Sequence, residues 1–301
     1  MFLNILPLAL VDGVAYASLI FLVSMGLTLI FGVMGILNVA HGAFYAFGGY
    51  TAATVIQKVT PLTDSGPVLL IALVLSALVI GCFIGWLMDF LLIRKVDKYD
   101  PIIKLLLTFG VLLMLEDVQR FIWGAQPYSA SAVVSSLGNL DLGGITYTAY
   151  QLLVVPIIAI ICYLALEYFL RKTKTGKQTI AITHNKEVAI ALGINAKRIS
   201  MLTFTIGAFL GALGGALAVP TTSLVPGAGA DMIVLSFAVV ATAGLGQITG
   251  ALIAALLIGI ARSIAVYMAP EIEVAVPYII MVLVLLFRPS GLFTVAKART
   301  I

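Results

Sequence analysis

The 301-residue sequence predicts an all-α polytopic membrane protein with eight or nine transmembrane helices, one or two of them broken or re-entrant, and a short helix in a cytoplasmic loop. Three observations carry this prediction. Hydrophobic residues make up 62% of the chain and charged residues 10%, with a mean hydropathy of +1.17; a soluble domain has about a quarter of its residues charged. Too little polar surface remains to face water, so the chain faces lipid. Apolar runs near the ~20 residues that span a ~30 Å hydrocarbon core recur along the sequence, and the basic residues are clustered between them rather than spread evenly.

The apolar runs are 8–35, 39–57, 67–93, 101–123, 146–170, 199–220, 231–247, 249–268 and 274–288. The last three are short, which leaves the total at eight or nine. Of the 17 Lys and Arg residues, four lie at 94–104, seven at 171–198, and three near the end at Arg288, Lys297 and Arg299. By the positive-inside rule these loops are cytoplasmic. Segments 124–145 and 221–231 contain no Lys or Arg, and 269–273 reads "APEIE"; these lie outside. Nine crossings close this pattern with the amino terminus periplasmic and the carboxy terminus cytoplasmic. The weakest link is "GLGQITG" at 244–250, either a cytoplasmic turn or a break deep in the membrane. "MFLNILPLAL" lacks a basic n-region, so the amino terminus is expected to insert uncleaved.

Other classes are excluded by what accompanies the charges. Nucleic-acid binding calls for aromatics among basic residues, which these loops lack. Cys82 and Cys162 fall inside apolar runs and read as buried thiols. No HExxH or Gly-x-Ser-x-Gly occurs, and no cofactor is indicated.

Small residues supply the packing signal. In "GAFLGALGG", Gly207, Gly211 and Gly215 recur every fourth residue, a ribbon that lets another helix backbone approach where burial from water offers no drive. Intramembrane charge is costly and therefore a functional hint. Asp89 and Glu167 fall near basic clusters and read as interfacial. Glu116 and Arg120 stand at i, i+4 and neutralise each other on this reading. Asp117 and Asp12 lack an obvious local partner, and Arg262 has Glu271 and Glu273 within reach along the sequence.

"NVAHGAF" at 38–44 interrupts a stretch that otherwise reads as pure membrane. A metal site would need further ligands near His41, and the only other His is His184, so no metal is indicated. A helix break, with Gly42 permitting the bend and Asn38 and His41 satisfying freed backbone, is favoured over direct solute contact. Asn38, His41, Gly42, Asp117 and Gln247 are the candidates for a translocation path or gate.

The loop at 171–198 reads "RKTKTGKQTIAITHNKEVAIALGINAKR". "TKTGKQT" is not a phosphate-cradling loop, because Arg171 stands where a Gly is required and Gln178 follows the Gly-Lys pair. In the second half Asn185 caps a short helix, Glu187 favours its positive end and Gly193 terminates it in a left-handed conformation. Val188, Ile190, Ala191 and Leu192 give that helix an apolar surface suited to the membrane or to a partner's groove. Glu187, Ala189 and Gly193 follow an E-A-A-x-x-x-G pattern with Val188 in the second place, which resembles the coupling motif of bacterial ABC-importer permeases.

Further segments point to one branch. "GLTLIFGVMGILNVAHGAFYAFGGY" (26–50), "TFGVLLMLEDVQRFIWG" (108–124), "ALGIN" (191–195), "GLGQITGA" (244–251) and "LLFRPSGLF" (285–293) occur in order. Together they resemble the branched-chain amino acid ABC-transporter permeases, closest to the shorter of the two permease subunits, over nearly the whole chain. Ala43 replaces the acidic residue usual after the His-Gly pair, and Ala243 replaces the first Gly of the usual Gly-Gly-Leu-Gly. The resemblance implies one permease domain over 1–301 with a coupling loop at 171–198. It implies ATPase contact through Glu187, Val188, Ala189, Leu192 and Gly193, with ATP hydrolysis left to partner subunits. The expected partners are a second permease, two ATPases, a periplasmic solute-binding protein and membrane lipid. Relatives also handle urea, short amides and aromatic acids. The rival reading is a stand-alone secondary transporter or channel using 38–44 and 244–250 as half-helix breaks.

Overall fold

A computed structural model describes residues 2–35, 37–96, 99–141 and 146–293. The helices are α1 (Phe2–Met34), α2 (His41–Val59), α3 (Gly66–Met88), α4 (Pro101–Trp123), α5 (Ala132–Leu137), α6 (Val155–Lys172), α7 (Lys174–His184), α8 (Lys186–Ala191), α9 (Ala196–Ala218), α10 (Ala228–Ala243), α11 (Ile248–Met268) and α12 (Val276–Phe287). Among the described residues, five helical stretches are long and apolar enough to cross a membrane: Leu6–Met34, Gly66–Val96, Tyr150–Lys172, Ala196–Ala218 and Ile248–Met268. Ala228–Ala243 and Val276–Phe287 are shorter apolar helices. The chain is thus an all-α membrane protein, apart from one small departure. Strands β1 (Asn139–Asp141) and β2 (Thr146–Thr148) pair antiparallel, with Leu140 opposite Tyr147.

α2 is the least lipid-like of the nine helices that occupy the apolar runs, and its place explains this. From His41 to Tyr50 every residue is buried, packed among α3, α4, α9 and α10. A helix clothed by protein does not need an apolar face for lipid, so Tyr45, Tyr50 and several glycines are accommodated. α9 makes the other half of the centre. The ideal Cβ positions on Gly207 and Gly214 fall against Ile30 and Val23 of α1, 2.6 and 2.5 Å away. Gly215 instead meets the Tyr45 carbonyl of α2, so the ribbon serves two neighbours from adjacent faces. α3 closes on the same helix where Gly85 faces the Ala208 methyl. α1 and α11 cross just as closely, with Gly13 against Ile260 and Gly259 against Ala17.

α4 is attached by its end. Trp123 Nε1 donates to Thr54 Oγ1 at 2.8 Å, and its ring stacks on Tyr50 with centroids 5.3 Å apart.

The two ends of the bundle differ in charge. At one end gather Arg94, just past the π-helical turn that follows α3, the sequence Arg171–Arg198, the turn between α10 and α11, and the segment after α12; Arg94 reaches Met201 Sδ at 2.8 Å. At the other end, loops that lack Lys and Arg pair with each other. Tyr128 and Leu224 exchange backbone hydrogen bonds of 2.9 and 2.8 Å, and Tyr150 Oη donates to the Leu217 carbonyl at 2.8 Å.

Several sequence expectations are corrected. The break after α1 is at Gly35, with φ +61°, and not at Gly42, which lies inside α2. Gly42 is required for another reason: a Cβ there would overlap the Gly229 carbonyl of α10. Asp89 is fully buried, and its Oδ2 takes Arg94 Nε of the basic cluster at 2.6 Å around a π-helical turn, Asp89–Ile93. Arg120 pairs with Asp117 at 3.8 Å, so the i, i+3 partner replaces the expected Glu116. Glu167 pairs with Arg171 one turn on. The expected cytoplasmic carboxy terminus, with Lys297 and Arg299, lies outside the described residues.

Candidate functional site

Three places in the fold hold the residues singled out above. The first is the start of α2. His41 is fully buried, and its Nε2 donates to the Val23 carbonyl at 3.0 Å. Val23 lies mid-α1, so this bond ties two helices instead of capping a free end. The imidazole occupies a slot that only glycine leaves open: Cβ atoms added to Gly26 or Gly211 would stand 3.0–3.2 Å from its Cε1 and Nε2. The ring then meets Phe44 edge-on at 5.5 Å. Gly211 is thus part of the imidazole slot, which spacing alone did not reveal.

The free end of α2 is served by α4. Thr108 Oγ1 accepts from Val39 N at 3.2 Å while donating to the Leu105 carbonyl at 3.0 Å, and Gln119 Nε2 donates to the Ala43 carbonyl at 3.4 Å. Nothing local in the sequence marks Thr108 and Gln119, whose partners Val39 and Ala43 lie about seventy residues away, while Glu116, Asp117 and Arg120 carry the visible charge of the same helix. Asn38 is buried, and among the described residues neither its Oδ1 nor its Nδ2 has a hydrogen-bond partner. Asp117 stands apart, with a side chain 80% exposed on the outer face of α4. The five path candidates therefore do not converge on one pocket.

Replacing His41 by alanine removes the Val23 bond and leaves a void between two glycines. The expected cost is about 2–4 kcal/mol, read as a lower thermal midpoint of the purified chain. His41→Gln, which keeps a donor of similar reach, is expected to recover part of it. A wild-type midpoint for His41→Ala would contradict this role.

The second place is the turn between α10 and α11. Gly244 and Gly246 take φ values of +104° and +84°, and Gln247 immediately precedes α11 as its N-cap residue. The carbonyls that α10 leaves unpaired are taken by the chain after α12: Leu292 N donates to Thr242 O and Phe293 N to Ala243 O, each at 2.9 Å. Gly291 packs on Gly244, where a Cβ would stand 2.5 Å from its Cα. The "GLGQITGA" and "RPSGLF" segments are thus two sides of one junction. Beside it a cavity of about 490 Å³ opens among α1, α6, α7 and the turn, lined by Thr28, Glu167, Thr183, His184, Gln247 and Thr249 among others.

The third place is α8. Asn185 Oδ1 accepts from Val188 N at 3.0 Å, and Glu187 lies in the first turn. At the other end Ile194 N donates to Ala189 O at 3.1 Å and Gly193 N to Ile190 O at 2.9 Å, with Gly193 at φ +83°. This is a Schellman ending, in which glycine carries the left-handed residue. Ala189 is buried with Ile194, Ile182, Ile199 and Val33 of α1, so α8 is fastened to the bundle. Val188, Ile190 and Leu192 remain 53%, 51% and 77% exposed in this basic part of the chain. Among the described residues no three His, Cys, Asp or Glu side chains are grouped to hold a metal ion.

The chain is thus an apolar helical bundle of membrane type with a capped helix, α8, exposing apolar side chains on its basic end. A family model described as "Branched-chain amino acid transport system / permease component" matches residues 9–285, and the chain belongs to that family. It is similar to the high-affinity branched-chain amino acid transport system permease protein LivH of Escherichia coli K12, with 28% identity covering 93% of both chains. The corresponding protein BraD of Pseudomonas aeruginosa is 26% identical over 94% of both. A probable LivH of Methanocaldococcus jannaschii is 27% identical over 93% of this chain and 90% of its own. No solved structure matches the chain significantly.

Proposed function

We propose that this chain is one permease subunit of an ABC importer that carries branched-chain amino acids, or chemically related small solutes, into the cytoplasm. The observation that carries the reading is α8. It is locked to α1, α7 and α9 through Ala189, yet presents Val188, Ile190 and Leu192 outward. A helix held rigidly at its root can transmit force, and its apolar face fits a groove on an ATPase subunit. Asn185 and Gly193 fix where it starts and stops, and Glu187 stands in its first turn. The names of the relatives support the substrate class.

On this reading the basic end is cytoplasmic, the amino terminus is periplasmic, and nine helices cross: α1, α2, α3, α4, α6, α9, α10, α11 and α12. A second permease pairs with this chain, two ATPases bind below and a periplasmic solute-binding protein docks above. The chain acts as one permease domain with 171–198 as its coupling loop. ATP-driven closure of the ATPases pushes α8, and the motion passes through its packing on α1 and α9. Asn38, His41, Gly42 and Gln247 belong to the frame around the path, and Asp117 faces the second permease.

A stand-alone secondary transporter has less support. Its half-helix ends would leave backbone groups for the solute, whereas here the α10 end is closed by Leu292 and Phe293 and the α2 end by Thr108. Affinity capture of the tagged chain from membranes solubilised in mild detergent tests the proposal. An ATP-binding-cassette subunit is expected to co-purify, together with a second permease. Capture of the chain alone, with full uptake activity in vesicles, would sink it.

A further inference from the structure

A second cavity, of about 280 Å³, lies at the end of the bundle remote from the basic loops, between α1, α11 and the turn after α9. Two opposite charges line it: Asp12 of α1 and Arg262 of α11. Among the described residues they form no ion pair with each other. Each is held in place from elsewhere. Tyr267 Oη donates to Asp12 Oδ2 at 2.5 Å, and the Tyr147 hydroxyl, which reaches the Leu8 carbonyl at 3.2 Å, also bonds within this group. Arg262 lies over the Tyr16 ring, 4.2 Å from its centroid, and meets Glu273 only loosely, at 3.5 Å.

Neighbouring unlike charges attract and pair unless other partners hold them apart. Here phenol hydroxyls orient the carboxylate, while the Tyr16 face and the Glu273 carboxylate hold the guanidinium, whose other N–H donors are left for the cavity. Between them, Leu19, Val155 and Val266 give apolar wall, and the volume is near the ~300 Å³ lower end for small-molecule sites. One charge of each sign beside apolar wall matches a single solute class.

We propose that this cavity is an outward-facing subsite for a zwitterionic α-amino acid with an aliphatic side chain. Asp12 takes the ammonium group, Arg262 takes the carboxylate through paired N–H donors, and the side chain rests against Leu19, Val155 and Val266. The inference rests on the permease reading above and places its solute at the mouth of the path, before the bundle changes state.

The test uses the purified full-length chain and three probes: leucine, isocaproate (which lacks the ammonium) and isoamylamine (which lacks the carboxylate). Equilibrium binding of radiolabelled leucine is measured, with the other two as competitors. Asp12→Asn is expected to weaken leucine and isoamylamine by about tenfold or more, as loss of a charge-assisted bond implies, and to leave isocaproate unchanged. Arg262→Gln is expected to do the reverse for the two competitors. Val266→Trp, which fills the cavity without touching either charge, is expected to abolish all three and decides the matter if a charge variant does not fold. Wild-type leucine affinity in folded Asp12→Asn and Arg262→Gln, or equal loss of all probes in both, would overturn the subsite. The two readings separate in reconstituted uptake: amino acid import by wild type that the charge variants leave intact refutes the subsite alone, while full uptake by the wild-type chain with no ATPase partner refutes the permease reading with it.

Discussion

Substituting Gly215 by valine is expected to abolish stable assembly of the bundle. A Cβ at this position overlaps the Tyr45 carbonyl of α2 and comes within 3.1 Å of Gly49 N. Both are backbone atoms of a helix that is buried on all sides, so no flexible side-chain tip can move out of the way. Overpacking ordinarily costs about 1–3 kcal/mol, and contact with a rigid backbone places this change at or beyond the top of that range. A matched control is available within the chain. Gly110 lies in the middle of α4, and a Cβ there meets nothing within 4 Å. Gly110→Val is therefore expected to express and elute as wild type in fluorescence-detected size exclusion, where Gly215→Val is lost or aggregated. Equal behaviour of the two variants would show that the α2–α9 contact is not as drawn.

The second large effect is expected at α8, without loss of fold. Leu192 is 77% exposed and follows a helix whose two ends are independently capped. Leu192→Asp removes apolar surface and brings a charge to the centre of the proposed ATPase contact. The expected loss in uptake is about thirtyfold, the ~2 kcal/mol of an interface hot spot, with an unchanged thermal midpoint. Gly193→Val acts differently. A β-branched residue at φ +83° carries left-handed strain of roughly 1–2 kcal/mol, so the ending of α8 shifts and ATPase association weakens with it. Glu187→Lys, at the positive end of the helix, is expected to act in the same direction and more mildly. Normal amounts of ATPase co-purifying with all three variants would count against the docking role.

What could be read in the sequence followed from local chemistry. The caps of α8 were legible because Asn185 and Gly193 act on backbone groups within a few residues, and the sequence shows those neighbours directly. The apolar runs were legible because lipid demands length and hydrophobicity of each span. The Gly207, Gly211 and Gly215 ribbon announced close packing, yet not that its members serve two different helices and an imidazole. His41 was read as a backbone cap because its neighbours in the chain suggested a break; its real partner, Val23, is brought near only by the packing of α2 on α1. Arg120 and Asp117 show the same limit at short range, since i, i+3 and i, i+4 are both within reach of a helix and rotamers decide. The link between the α10–α11 turn and residues 290–293 joins segments more than forty residues apart, and no periodicity could have shown it. The pairing of Asp12 with Tyr267 in one cavity was equally hidden.

The central claim is that this permease moves solute only when ATPases act on α8. It is tested most directly by leucine uptake into proteoliposomes holding the chain with its co-purified partners, ATP enclosed on the α8 side and the solute-binding protein outside. Uptake is expected with ATP, none with a non-hydrolysable analogue, and a loss of about thirtyfold when the chain carries Leu192→Asp. Uptake that proceeds equally with the analogue, or with the chain alone, would contradict it.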